Sequence, residues 1–255
     1  MSDAPGMSQR RAAMLREMGL APLWRLRGAS AEAQPNTRTR PAELAAAAEA
    51  ADALPAASQT GAAVAVVAAM GWDELHASIA ACRACELCQA RQQAVPGVGD
   101  LSPDWLFVGE GPGAEEDQRG EPFVGQAGKL LDAMLAAIGL RRGKKVYIAN
   151  TVKCRPPGNR TPTAAETAAC WPYLERQIAL LKPKLIVALG KPAAQTLLQR
   201  EVRVGEARGR LFDHNGIPLI VTYHPAYLLR TLADKAKAWE DLCFARATMR
   251  KLLEK

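Results

Sequence analysis

The chain has 255 residues, 49% of them hydrophobic, and a net charge of +7. That is enough for one α/β domain with an extension. No apolar run approaches the roughly 18 residues of a membrane span, and the N-terminus lacks an apolar signal core, so a cytoplasmic protein with no membrane partner is expected. The basic balance suits a polyanionic partner without requiring one.

In chain order, residues 1–30 hold a short amphipathic segment. Met14, Leu15, Met18 and Leu20 recur at roughly helical spacing, and Gly19 marks a stop. A short amphipathic element ahead of a tether suits docking on a partner, or folding back on its own domain. Residues 31–70 read as an Ala/Pro-rich low-complexity linker, helical in part and not a core, with 15 alanines in 41–70 and few bulky side chains. The body is expected over 71–255. Four apolar runs read as buried strands: "WLFVG" (105–109), "KVYIAN" (145–150), "LIVALG" (185–190) and "PLIVTY" (218–223). Helical patterns alternate with them, and "KAWEDLCFARATMRKLLEK" closes the chain. This order predicts a three-layer α/β/α fold around a four-stranded parallel sheet. Such sheets bind ligands at the carboxyl ends of their strands.

Unusual chemistry collects at those ends. In "GEGPGAEED" (109–117), Gly111 and Gly113 let backbone approach a ligand closely. Glu110 and Glu116 suit holding a water or facing a developing cation, whereas Glu115 and Asp117 read as helix N-terminal acids. Phe123, between turn residues, suits a stacking platform. Asn150 ends a strand with an amide that offers donor and acceptor together, as reading a base edge requires. His224 alone of three histidines sits at a strand's carboxyl end; His76 and His214 read as surface. Leu228, Leu229 and Arg230 form an apolar wedge beside a cation, as expected of a loop entering a duplex. Lys129, Lys153, Arg155, Arg160, Lys191 and Arg230 are candidate phosphate contacts.

Cysteines stand at 82, 85, 88, 154, 170 and 243. A C-x2-C pair with two distant cysteines suits zinc or an iron–sulfur cluster. Spacing alone does not choose between these, nor between Cys82–Cys85 and Cys85–Cys88 as the claw, and buried free thiols remain the bland alternative.

Taken together, "CRACELC", "GEGPGAEED", "EPFVGQAGKLL", "YIANTVKCRPPGNRTP" and "HPAYLLR", in this order, resemble family 4 uracil-DNA glycosylases, the iron–sulfur type, over about residues 78–252. The resemblance implies a uracil-DNA glycosylase-like fold, uracil-containing DNA as partner, and cleavage of the N-glycosidic bond by a monomer. It implies a [4Fe–4S] cluster on Cys82, Cys85, Cys154 and Cys170, with Cys88 spare. It places uracil on Phe123, its edge on Asn150, His224 toward O2, Glu110 and Glu116 at the sugar, and Asn159 at water or phosphate. Better-known uracil glycosylases carry an aspartate near Gly111, where this chain has no carboxylate. A related branch forms a covalent bond to the abasic sugar, using a longer loop with an extra histidine where this chain reads "CRPPGNRTP". A non-enzymatic DNA-binding accessory of a replication complex is the other alternative. Residues 8–28 are also similar, over about fifteen residues, to the N-terminal peptide of the psi subunit of bacterial clamp loaders, which implies a replication partner.

Overall fold

The computed structural model describes residues 59–254. The amphipathic segment 8–28 and most of the expected linker lie outside them. Within the linker's expected range, however, Gln59–Ala69 is helical and Val67 is buried. The helix packs on the helix Ala164–Leu181, and Val67 is its buried residue, whereas Ala65, Ala68 and Ala69 are exposed.

The sheet has six strands in the order β1-β3-β2-β4-β6-β5. Here β1 is Val98–Gly99, β2 Trp105–Gly109, β3 Val146–Asn150, β4 Leu185–Leu189, β5 Leu211–His214 and β6 Ile217–Thr222. The four expected strands form its centre and run parallel. Two antiparallel edges complete it, so the sheet is mixed and not four-stranded. β2, β3 and β4 are buried along their whole length, which is why they read as unbroken apolar runs. β5 alternates exposed and covered positions and returns through Asn215 and Gly216, both at positive φ, as a two-residue hairpin turn requires.

Successive strand residues feed opposite cores. Trp105, Phe107, Ile148, Val187 and Ile220 face the helices Gln126–Ala137 and Lys235–Leu253. Leu106, Val108, Tyr147, Ile186 and Leu219 face Ala164–Leu181 and Lys191–Leu198. A third cluster joins Val67, Leu75, Ile79 and Leu87 to Val152, Cys154, Cys170 and Tyr173. It holds the N-terminal helices Gln59–Ala69 and Trp72–Ala81 against the body.

The histidines expected at the surface are not there. His214 is buried, its Nδ1 2.9 Å from the Leu197 carbonyl. His76 is half-buried against Trp72, 5.0 Å between ring centroids, and burial lowers its pKa.

Candidate active site and cysteine cavity

A cleft of about 680 Å³ opens at the carboxyl ends of β2, β3, β4 and β6. Glu110, Gly111, Gly113, Glu116, Phe123, Asn150, Asn159, His224 and Arg230 all line it.

Asn150 is 2% exposed, and its Oδ1 is buried without a hydrogen-bond partner among the described residues. An orphaned buried acceptor is costly and needs a reason, which a ligand donor would supply. Space above it exists because residue 109 is glycine. A Cβ there would lie 2.5 Å from both Asn150 Oδ1 and Phe123 Cζ.

Phe123 is buried, with φ of 57°. The loop around it is pinned from two sides. Arg142 donates to the carbonyls of Pro122, at 2.8 Å, and Phe123. Glu116 Oε1 accepts from the amides of Val124 and Gly125 at 2.9 and 3.0 Å. Its Oε2 accepts from Gly113 N at 3.1 Å, closing the cap of the helix Ala114–Arg119. Both Glu116 oxygens are thus engaged by backbone, and the residue clamps the glycine loop to the Phe123 loop. Glu110 differs: it is half-buried, and burial raises its carboxyl pKa, opposed by a hydrogen bond from Thr161. Asn159, at φ 56°, accepts at Oδ1 from Arg155 Nε at 2.7 Å.

His224 is the N-cap of the helix Pro225–Arg230, and its Nδ1 accepts from Ala226 N at 3.1 Å. In the neutral ring the proton therefore sits on Nε2. Burial lowers the pKa to about 4, assisted by nearby Arg230 and opposed by Glu116. The imidazole lies 5.4 Å from the Phe123 ring, tilted by 32°. Gly190 makes room for it, since a Cβ there would meet His224 Cβ at 2.9 Å.

Leu228 is not a wedge. It is 1% exposed and belongs to the core with Phe123 and Leu131. Leu229, at 42% exposed, and Arg230 are the residues of that helix that face outward.

A second, small cavity is bordered by Cys82, Cys85, Cys88, Cys154 and Cys170. Among the described residues no three His, Cys, Asp or Glu converge as a single-ion site. The cysteines surround a space instead. Arg91 donates to Cys154 Sγ at 2.8 Å, and Lys153 N to Cys170 Sγ at 3.3 Å. Burial pushes the thiols of Cys85 and Cys154 up, and that of Cys170 to about 12.

Lys153 is also not a phosphate contact. It is 2% exposed, and burial lowers its pKa to about 8. Arg91 and Arg142 were not anticipated, because nothing in their local sequence separates them from surface cations. Arg160 and Lys191 do reach the cleft; Lys129 is exposed but does not line it.

A model of the uracil DNA glycosylase superfamily matches residues 96–243, more than half of the chain. The chain belongs to that superfamily. It is 44% identical over 181 residues to a type-4 uracil-DNA glycosylase of Pyrobaculum aerophilum, covering 68% of this chain and 92% of that protein. A type-4 uracil-DNA glycosylase of Thermotoga maritima is 45% identical over 174 residues, 67% of this chain and 90% of that protein. Similarity to a type-5 uracil-DNA glycosylase of Mycobacterium leprae is lower, 33% over 194 residues, 60% of this chain and 84% of the relative. The superfamily match spans the glycine loop, Phe123, Asn150 and His224, and leaves Cys82 and Cys85 outside it.

Proposed function

We propose that this chain is a type-4 uracil-DNA glycosylase that turns uracil out of DNA and hydrolyses its N-glycosidic bond. The abasic site it leaves begins base excision repair. The observation that carries this reading is the buried, unpartnered Asn150 Oδ1 facing the same cleft as Phe123 and His224.

Extruding the base costs a few kcal/mol, least in a single strand or a mismatch. Phe123 stacks on the extruded ring. Asn150 Oδ1 accepts from N3–H and its amide donates to O4; cytosine presents the opposite pattern. Bond cleavage leaves negative charge on the base and positive character on the sugar. His224 Nε2–H points its proton at O2 as that charge grows, and one such preorganised donor is typically worth about 2.7–4 kcal/mol. In the neutral ring Nδ1 is free to accept from Ala226 N, which leaves the single proton on Nε2, aimed at the base. Glu110 favours the cationic sugar and holds the attacking water. Glu116, with its oxygens on three amides, keeps the two loops in register. Asn159 steadies Arg155, and Arg155, Arg160, Lys191 and Arg230 follow the phosphates, so binding falls with salt. Leu229 and Arg230 prop the vacated stack.

The cysteine cavity fits a [4Fe–4S] cluster on Cys82, Cys85, Cys154 and Cys170. A single zinc draws four ligands to about 2.0–2.3 Å from one point, whereas these sulfurs ring a space, with N–H donors on Cys154 and Cys170 that suit thiolates. When bound, the cluster supplies a covalent staple between the N-terminal helices and the loop after β3. Residues 8–28 fit a tether to a replication partner, and the catalytic domain acts as a monomer.

The test is strand scission by alkali of a uracil-containing oligonucleotide after incubation with cluster-loaded protein, with His224→Ala in parallel. Scission by the native protein, reduced about 100- to 1,000-fold in the variant, is expected. No scission by native protein refutes the enzyme and leaves a DNA-binding accessory. Protein trapped on the DNA under denaturing conditions refutes hydrolytic release.

A further inference from the structure

A fully buried lysine inside a small α/β domain needs an account, because a cation leaves water only at a large cost unless partners replace it. Lys153 Nζ has two: the main-chain carbonyl of Asn150 at 2.8 Å and Gln177 Oε1 at 2.6 Å. Gln177 is itself fully buried and held by its Nε2 on the Pro96 carbonyl at 2.8 Å. The fold has therefore built a polar chain, Pro96–Gln177–Lys153–Asn150, through its interior. Its last member is the residue whose side-chain oxygen waits unpartnered in the cleft.

The other end of the same residue meets the cysteines. Lys153 borders their cavity, and its amide donates to Cys170 Sγ at 3.3 Å. One residue thus touches both functional regions: the main chain holds a cysteine sulfur, and the side chain curls back to the carbonyl three residues earlier. None of the steps assigned to Phe123, Asn150, Glu110 or His224 uses it. An apolar side chain would fill the space but take the donor away from two buried acceptors, one of them the carbonyl of the base-reading residue.

We infer that Lys153 is a positioning residue that fixes the Asn150 backbone in the uracil-reading orientation and ties that orientation to the filled cysteine site. The inference rests on the proposed uracil reading. Without the ammonium, the Asn150 carbonyl loses a charge-assisted donor in a dry site, and the peptide that follows is left to tilt about its remaining bond, Thr151 N on Gly109 O. A tilted amide still admits a base but no longer matches N3–H and O4. Selectivity for uracil should fall while affinity for DNA without the base persists.

The experiment uses full-length, cluster-loaded protein and its Lys153→Met variant, which keeps an unbranched side chain one atom shorter and removes its donors. Two duplexes serve as probes, one with 2′-fluoro-2′-deoxyuridine, which resists hydrolysis, and one with a tetrahydrofuran abasic analogue. Iron content and visible absorbance are read on the same samples. The expected result is a preference of native protein for the fluorouridine duplex that shrinks about tenfold in Lys153→Met, with abasic binding and iron per chain unchanged. A purely structural lysine would weaken both probes together. A preference equal to the native one, per iron-loaded molecule, overturns the inference. If native protein shows no preference, the uracil reading itself falls, and the inference with it. Should Lys153→Met fail to accumulate, Gln177→Leu, which removes the lysine's side-chain acceptor, is expected to reduce the preference in the same direction. An unchanged preference there overturns the inference equally.

Discussion

Leu228 and Leu229 are adjacent, and truncating them should have opposite consequences. Leu228 is 1% exposed, in the core beneath the Phe123 loop, on a helix that packs against Gln126–Ala137. Removing three carbons there loses their transfer energy and leaves a cavity, about 2–5 kcal/mol for Leu→Ala in such sites. In a domain of this size each kcal/mol moves the melting temperature by about 2–4 °C, so Leu228→Ala should melt roughly 4–20 °C lower. Leu229 is 42% exposed, and Leu229→Ala should stay within about 0.5 kcal/mol of native. Activity should sort the other way. Leu229→Ala should slow uracil removal from duplex DNA and spare a single strand, where little unstacking is needed. The assay is thermal unfolding of cluster-loaded proteins at one concentration, with single-turnover rates on both substrates. If Leu228→Ala melts with native protein while Leu229→Ala loses stability, the placement of this helix is wrong.

His224 gives a pH prediction with a definite sign. Its folded pKa is held at about 4 by burial, against 6.5 in an open chain. Below 6.5 the unfolded chain binds the extra proton, so this residue's contribution to stability is complete above pH 6.5 and is lost as pH falls toward 4. The neutral Nε2 donor persists over that range, so single-turnover rates should show no inflection between pH 6 and 7 that His224→Ala abolishes. Gly109→Ala should leave the sheet intact but press a methyl group onto Asn150 Oδ1 and Phe123, 2.5 Å away in each case. A loss of about 100-fold in kcat/KM, roughly 2.7 kcal/mol, is expected in steady-state assays. Iron and sulfide analysis of Cys170→Ser should show a large loss, whereas Cys88→Ser should keep native iron content.

The central strands were legible because burial on both faces leaves no polar position to interrupt them, and their order placed the glycine loop, Phe123, Asn150 and His224 at one end. The edges were not. β1 is two residues long, too short for any periodicity, while β5 announced itself only through Asn215-Gly216, a hairpin signal that its weak alternation obscures. Leu228 and Leu229 were inseparable in sequence, because a six-residue helix is too short to show which face turns inward. Lys153 was misread for a deeper reason. A lysine in "NTVKCRPP" looks like a surface cation, and the two groups that accept its protons come from residues 150 and 177, a pairing that only the folded chain defines. His214 was hidden in the same way, its partner being the carbonyl of Leu197 on another element.

The path of the chain beyond β3 explains why base reading and the cysteine site share a neighbourhood. β2 and β3 do not separate where their ladder ends. Thr151 N still donates to Gly109 O at 2.9 Å, Val152 N to Glu110 O at 3.2 Å, and Thr151 Oγ1 to the same Glu110 carbonyl at 2.5 Å. Glu110 and Asn150 are thereby held at a fixed separation, which preorganises the sugar side and the base side of the cleft together. Cys154 follows Asn150 by four residues, so strain at the cysteine cavity reaches this paired segment directly. His224 stands on a different footing: it follows β6, faces Gly190 at the end of β4, and is oriented by its own helix. Loosening the cysteine site should therefore degrade uracil selectivity, which depends on Asn150, before it degrades the stabilisation that His224 gives to the departing base. Partial removal of iron at constant protein concentration, followed by rates on uracil and on a mismatched cytosine, separates the two. A fall in the uracil rate that precedes any loss of folded protein, with the ratio of the two rates declining in step, is the expected order. A ratio that stays constant as iron is lost would mean that the staple holds the domain as a whole and has no particular bearing on Asn150.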